Sequence, residues 1–284
     1  MNSTTAILQL ICPDRPGLVS ELATWVANHN GNILHADHHT DQREKLFLSR
    51  IEWDLINFSL PRDLIHRSIQ QLAIQVNGTA ELNFSDEIPK VAILVSKQSH
   101  CLLDLLLRVR SGEIRIDIPV VISNHRNLEY ICQEFSIDFK YVPVDLTNKS
   151  LSEEVILNLL KLYQIDLVVL AKYMQILSKT FIQEFPTIIN IHHSFLPAFK
   201  GAKPYHQAWK RGVKVIGATA HYVTAELDDG PIIEQTIAHI THRDEVDDLI
   251  RKGRDTERMA LAAALRFHIR RQVMVYSGKT AIFD

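Results

Sequence analysis

Cysteine is scarce in this chain. Three residues in 284, Cys12, Cys101 and Cys132, form no C-x-x-C pair and are odd in number. They suit a reduced compartment better than a disulfide framework. Long apolar runs are missing too. No stretch of 18 apolar residues occurs, so no membrane-spanning helix is expected. The first fifteen residues lack the basic start and small-residue cleavage site of a secretory signal, and a cytoplasmic location is the expectation. The net charge of −2 gives no electrostatic footprint for nucleic acid. Glycine is sparse where a phosphate-binding α/β protein needs it. None occurs between Val91 and Ser111, so the loop after the first strand of the larger domain has no glycine cradle for an anion. Low-complexity segments and short repeats are also lacking. What is present is ordinary globular material, 46% apolar and 23% charged, enough for one or two packed cores.

The first 85 residues read β-α-β-β-α-β. Residues 5–12 form a strand, and Asp14-Arg15-Pro16-Gly17 a turn. Leu18, Leu22, Trp25 and Val26 recur at helical spacing. Strands follow over 32–40 and 45–55. A second helix opens at Pro61 with its stripe at Ile65, Ile69, Leu72 and Val76, and a last strand runs over 79–84. That order predicts a ferredoxin-like unit. His35, Asp37 and His39 share one face of the second strand. They lack a fourth ligand, and a solvated or interface strand is the better reading than a metal site.

Ser85 to Pro89 is a polar boundary ending in proline, dividing residues 1–85 from 86–284. Beyond it apolar runs at 91–95, 119–122, 141–144 and 167–171 alternate with helical segments near 99–110, 126–135 and 151–163. Ser150 or Ser152 is placed to cap the last of these. Continuous apolar strands between helices predict a mainly parallel sheet covered on both faces, a Rossmann-like α/β domain. Asp244 or Glu245 opens a long helix, and a closing hairpin turns at Ser277-Gly278.

The chemistry concentrates in Thr187 to His206. An apolar strand there breaks into a Pro-Gly loop, the pattern of a buried strand delivering side chains to its carboxyl end, where open α/β sheets bind ligands. Asn190 and His192 lie two apart and share a face. The amide can donate to an oxyanion, and the imidazole can carry charge near neutral pH. His221 to Pro231 adds a second strand and an acidic turn with Asp228, Asp229 and Gly230.

N-I-H-H-S-F-L-P followed by H-Y-V-x5-D-x-G-P-I-I resembles the folate-dependent formyltransferase family. The resemblance implies that Asn190, His192 and Asp228 form the catalytic trio. Asn190 and His192 would donate to the oxyanion, and Asp228 would accept a proton as the nucleophile attacks. L-A-K-Y-M-Q-I-L is similar to the segment lining the family's folate pocket, which implies pocket roles for Met174, Gln175, Ile176 and Leu177, with Lys203 and Tyr205 near the mouth. Gln175 stands where the family commonly has arginine. The family's ribonucleotide formyltransferases carry a Gly-rich loop where this chain has S-K-Q-S-H-C-L. Water is therefore the expected acceptor, with hydrolysis of 10-formyltetrahydrofolate to formate and tetrahydrofolate as the reaction. By the same resemblance, that formate would feed purine synthesis and balance the one-carbon folate pool. Neither metal nor cofactor is expected. Transfer to an amine and a catalytically idle regulator are the alternatives.

D-R-P-G-L, a helix and G-N-I together resemble the ACT domain. That implies an amino-acid effector region around Asp14, Arg15, Gly17 and Asn32. Glycine and methionine are both reasonable effectors, and an even-numbered homo-oligomer is expected.

Overall fold

In a computed structural model the described residues are 4–144, 149–197 and 204–284. The chain divides into two units. The first comprises residues up to Glu87 together with Arg271–Ser277 and Ala281–Asp284, and the second Ile88–Arg270 with Gly278–Thr280.

The first unit opens with β1 (Thr5–Pro13), α1 (Leu18–Asn28), β2 (Ile33–Asp41), β3 (Leu46–Asp54), α2 (Arg62–Gln75) and β4 (Thr79–Phe84). The strands form an antiparallel sheet in the order β2-β3-β1-β4. Alternation explains the burial. Ala6, Leu8, Leu10 and Cys12 of β1, with Phe47, Ile51 and Trp53 of β3, meet Leu18, Leu22 and Val26 of α1 and Ile65, Ile69 and Leu72 of α2. The edge strand β2 is exposed from His35 to Thr40, including His35, Asp37 and His39.

The second unit runs through β5 (Lys90–Val95), α3 (His100–Arg110), β6 (Asp117–Ser123), α4 (Glu129–Glu134), β7 (Asp138–Tyr141) and α5 (Lys149–Leu162). It continues with β8 (Leu167–Leu170), α6 (Lys179–Glu184), β9 (Ile188–His192), α7 (Pro204–Arg211), β10 (Val215–Tyr222), β11 (Ile232–His239) and α8 (Val246–Ile269). Its sheet order is β11-β10-β9-β8-β5-β6-β7. The five strands from β9 to β7 are parallel, and β10 and β11 complete the sheet antiparallel. One face is filled by Ile156, Leu157 and Leu160 of α5 and Phe181 of α6 against Ala92, Leu94, Val120, Val168 and Ile188. The long α8 packs along β9, β10 and β11 and against α3. Glu245 and Asp248 cap its start reciprocally.

Two local expectations shift. Ser150 and Ser152 lie inside α5, which begins at Lys149, and the Ser152 hydroxyl donates to the Lys149 carbonyl at 2.8 Å. The boundary at Ser85 to Pro89 places the hairpin β12 (Val273–Tyr276) and β13 (Lys279–Ile282) within residues 86–284. Its apolar face instead belongs to the first unit. Met274 and Phe283 cover Leu48, with Ile11 and Leu46 beside them, on the sheet face away from the helices. Gln9, buried on that face, donates to the Val273 carbonyl at 2.8 Å.

Candidate active site

β9 presents Asn190 and His192 to one cavity of about 260 Å³ at the carboxyl end of the strand. The neighbouring β10 places His221 directly opposite Asn190. After β10 the chain turns sharply, with Asp228 in the left-handed region at φ 53°. Gly230 makes this turn possible, because a Cβ there would come within 1.7 Å of the Tyr222 carbonyl oxygen. The turn brings the Asp228 carboxylate back to the strand ends. Its Oδ2 lies 3.2 Å from His192 Nδ1, and its Oδ1 lies 3.8 Å from His221 Nε2.

The hydrogen bonds fix the tautomers. His221 Nδ1 lies 2.9 Å from the Tyr222 carbonyl, which can only accept. Its Nδ1 therefore carries a proton, and its Nε2 lies 3.2 Å from Asn190 Nδ2 and faces Asp228. His192 Nδ1 likewise donates toward Asp228. Its Nε2 is buried without a partner among the described residues. Burial alone would push the Asp228 carboxyl up. The His192 hydrogen bond and the adjacent His221 outweigh it and hold the group well below the usual carboxylate range.

The cavity's other wall is the loop after β8. Met174, Gln175, Ile176 and Leu177 all line it. The loop is pinned at both ends. The Met174 amide donates to Ser96 Oγ at 3.0 Å, and the Ser178 amide donates to Glu153 Oε1 at 2.9 Å. Met174 and Ile176 are exposed, leaving apolar surface open to a flat ligand.

A second cavity, of about 500 Å³, shares Lys172, Met174, Gln175 and His193 with the first. Tyr205, expected at the mouth of the folate pocket, lines this one. Lys203 lies outside the described residues. Beneath the second cavity is a buried charge cluster. Glu257 receives Lys172 Nζ at 3.1 Å, the Tyr205 hydroxyl at 2.9 Å and His100 Nε2 at 2.6 Å. Burial raises the Glu257 carboxyl, but His100 and Lys172 overcome this and bring it down to about 2. Burial, the Lys172 charge and His192 together lower His193 to about 4. His100, Cys101 and Glu257 are close enough to hold a cation. The Lys172 ammonium on the same carboxylate opposes one, and desolvation keeps the Cys101 thiol protonated.

In the first unit Asp14, Arg15 and Gly17 occupy the turn between β1 and α1, and Asn32 precedes β2. Arg15 is already held by Glu21 at 2.6 and 2.7 Å, while Asn32 turns to Asp54 at 3.4 Å.

Residues 89–265 match the formyl transferase family model, and residues 6–72 match the ACT domain model. A formyltetrahydrofolate deformylase of Synechocystis sp. is 56% identical over 283 residues, covering 100% of both chains. One from Bacillus subtilis is 40% identical over 100% of this chain and 95% of its own. The chain belongs to the formyltetrahydrofolate deformylase family. The crystal structure of a family member from Pseudomonas syringae pv. tomato superposes with a TM-score of 0.97 at 42% identity, covering 100% of this chain and 96% of that one. A glycinamide ribonucleotide transformylase from Symbiobacterium toebii matches with a TM-score of 0.66 at 31% identity, over 72% of this chain and 98% of its own.

Within this family fold, four side chains of the site lie outside what the sequence patterns mark. His221 sat inside the H-Y-V word, but its role depends on the β9–β10 register, which periodicity does not give. Lys172 sat inside L-A-K-Y, and Glu257 and His100 lie far from it in sequence. No local pattern joins them.

Proposed function

We propose that the chain hydrolyses 10-formyltetrahydrofolate to formate and tetrahydrofolate. The observation that carries this reading is the His192–Asp228 pair, with a free imidazole nitrogen beside Asn190 in one cavity. The names of the relatives supply the substrate. The pterin lies against Met174, Ile176 and Leu177, with the formyl group toward β9. Asn190 Nδ2 and, with the ring protonated on both nitrogens, His192 Nε2 donate to the formyl oxygen as it becomes an oxyanion. For Asn190 this means exchanging the His221 contact for the substrate. Water attacks the carbon and becomes strongly acidic as its bond forms, so a weakly basic Asp228 suffices to take its proton. The depressed carboxyl does not retain that proton and passes it to N10 as the carbon–nitrogen bond breaks. Asp228 also stabilises positive charge on His192. The reading requires neither metal nor cofactor.

The first unit is proposed to bind an amino acid such as glycine or methionine near Asp14, Arg15, Gly17 and Asn32, and to pair subunits into an even-numbered homo-oligomer. The long exposed edge strand β2 supports pairing, since such an edge carries unpaired backbone groups.

The test is formate release from 10-formyltetrahydrofolate without any amine acceptor. Asp228→Asn is expected to lose about a hundredfold or more in turnover, the scale of a general-base contribution. Asn190→Ala is expected to lose about 10²–10³-fold, the scale of one oxyanion donor. Wild-type protein that binds folate but releases no formate would refute hydrolysis, and full activity in Asn190→Ala would refute the oxyanion assignment.

A further inference from the structure

Lys172 is a buried cation that the proposed chemistry does not use. Its side chain is 5% exposed, and its backbone sits in the left-handed region at φ 65°. Glu257 holds the ammonium at 3.1 Å. The residue stands where the two cavities meet, lining both.

That position matters for the nucleophile. With folate filling the first cavity, a second reactant larger than water must approach through the second one. This approach is positively charged. Lys172 stands at the junction, and Lys97 and Arg254 line the space farther out. Glu257 is the one carboxylate among the described lining residues, and Lys172, His100 and Tyr205 already engage it. His193, beside the junction, is held neutral and adds no charge of its own.

An amine nucleophile reaches a protein at neutral pH largely as an ammonium ion. Bringing it into a lining where Lys172, Lys97 and Arg254 outnumber the one carboxylate, Glu257, is disfavoured. Water crosses the same point without that penalty. Selection of this kind works by rejecting the competitor rather than by gripping the preferred reactant.

We propose that Lys172, fixed by Glu257, is a specificity-determining residue that keeps cationic amines from the formyl group and reserves it for water. The proposal rests on the hydrolytic reading above. In hydrolysis a water oxygen bonds to the formyl carbon, the bond to N10 breaks, and a water proton ends on N10. In the excluded reaction an amine nitrogen bonds to that carbon, an amine proton ends on N10, and a formamide leaves.

The experiment uses the full chain with 10-formyltetrahydrofolate and measures formate and N-formyl product together by mass spectrometry. The two probes are glycinamide, mostly cationic at neutral pH, and hydroxylamine, mostly neutral. In the wild type hydroxylamine is expected to capture formyl groups, while glycinamide does not. Equal capture of both would overturn the proposal without any variant. Lys172→Met keeps the chain's bulk and leaves Glu257 paired with His100 and Tyr205. Its ratio of N-formylglycinamide to formate is expected to rise at least about tenfold, with the hydroxylamine ratio unchanged and Lys172→Arg behaving as wild type. An unchanged glycinamide ratio in Lys172→Met would overturn the proposal. So would formate release lost in Lys172→Met and restored in Lys172→Arg, because the cation would then serve hydrolysis itself. Absence of formate release from the wild type would instead strike the hydrolytic reading.

Discussion

Asp228 and Glu257 are both carboxylates held below their ordinary range, one lining each cavity. Asp228 faces the cavity and two imidazoles. Glu257 is 2% exposed and meets a lysine, a histidine and a tyrosine. Its folded value of about 2 lies below the ordinary 4.5, so its stabilisation is present in full above about pH 4.5 and is lost as pH falls toward 2. The size is on the order of 3 kcal/mol. Urea titrations across that range should show the wild type losing this increment, while Glu257→Gln, less stable at neutral pH, stays nearly flat. Parallel loss in both proteins would mean that the cluster does not cause the acid sensitivity. At this scale the sequence was half legible. Asn190 and His192 share a face by strand parity alone, and D-x-G locates Asp228. His221 needed the register of β10 against β9, and the Lys172–Glu257 pair joins residues 85 apart.

At the scale of elements, the clearest patterns were the strands with strict alternation and α8 with its acidic start. Less legible was α4, expected over 126–135 and reduced to Glu129–Glu134. The cap of α5 was misplaced because serine serves inside a helix when its hydroxyl returns to the backbone, as Ser152 does. In α8, Gly253 stands in the helix interior, where it costs about 1 kcal/mol relative to alanine. A Cβ there would lie 2.1 Å from the Tyr205 hydroxyl. The glycine is the seat on which α7 lays Tyr205 to reach Glu257. Gly253→Ala should therefore destabilise the wild type by displacing Tyr205 from its charged acceptor. In a Tyr205→Ala background the same change should stabilise by about 1 kcal/mol. Denaturant unfolding of the four proteins checks the reversal of sign, and the same sign in both backgrounds would refute the seat.

At the scale of the molecule, the boundary near residue 87 was legible from composition, but the membership of the last residues was not. A hairpin's apolar face does not name the sheet that it covers. Leu48, Met274 and Phe283 are joined only by the fold. Phe283→Ala should cost about 3 kcal/mol, as buried aromatic truncations do. Hydrogen exchange should show the loss at β1 and β3, with β5 and β8 protected as before. Loosening centred on β5 and β8 would contradict the hairpin's assignment.

The same hairpin sets an order of events during synthesis. β1 to β4 leave the ribosome first, with Ile11, Leu46 and Leu48 facing outward on a sheet that lacks its cover. The strand bearing Met274 follows on the order of 190 residues later, roughly ten to forty seconds at ordinary translation rates. For that interval the nascent chain carries a folded but unfinished surface, and it is then that a holding chaperone has something to grip.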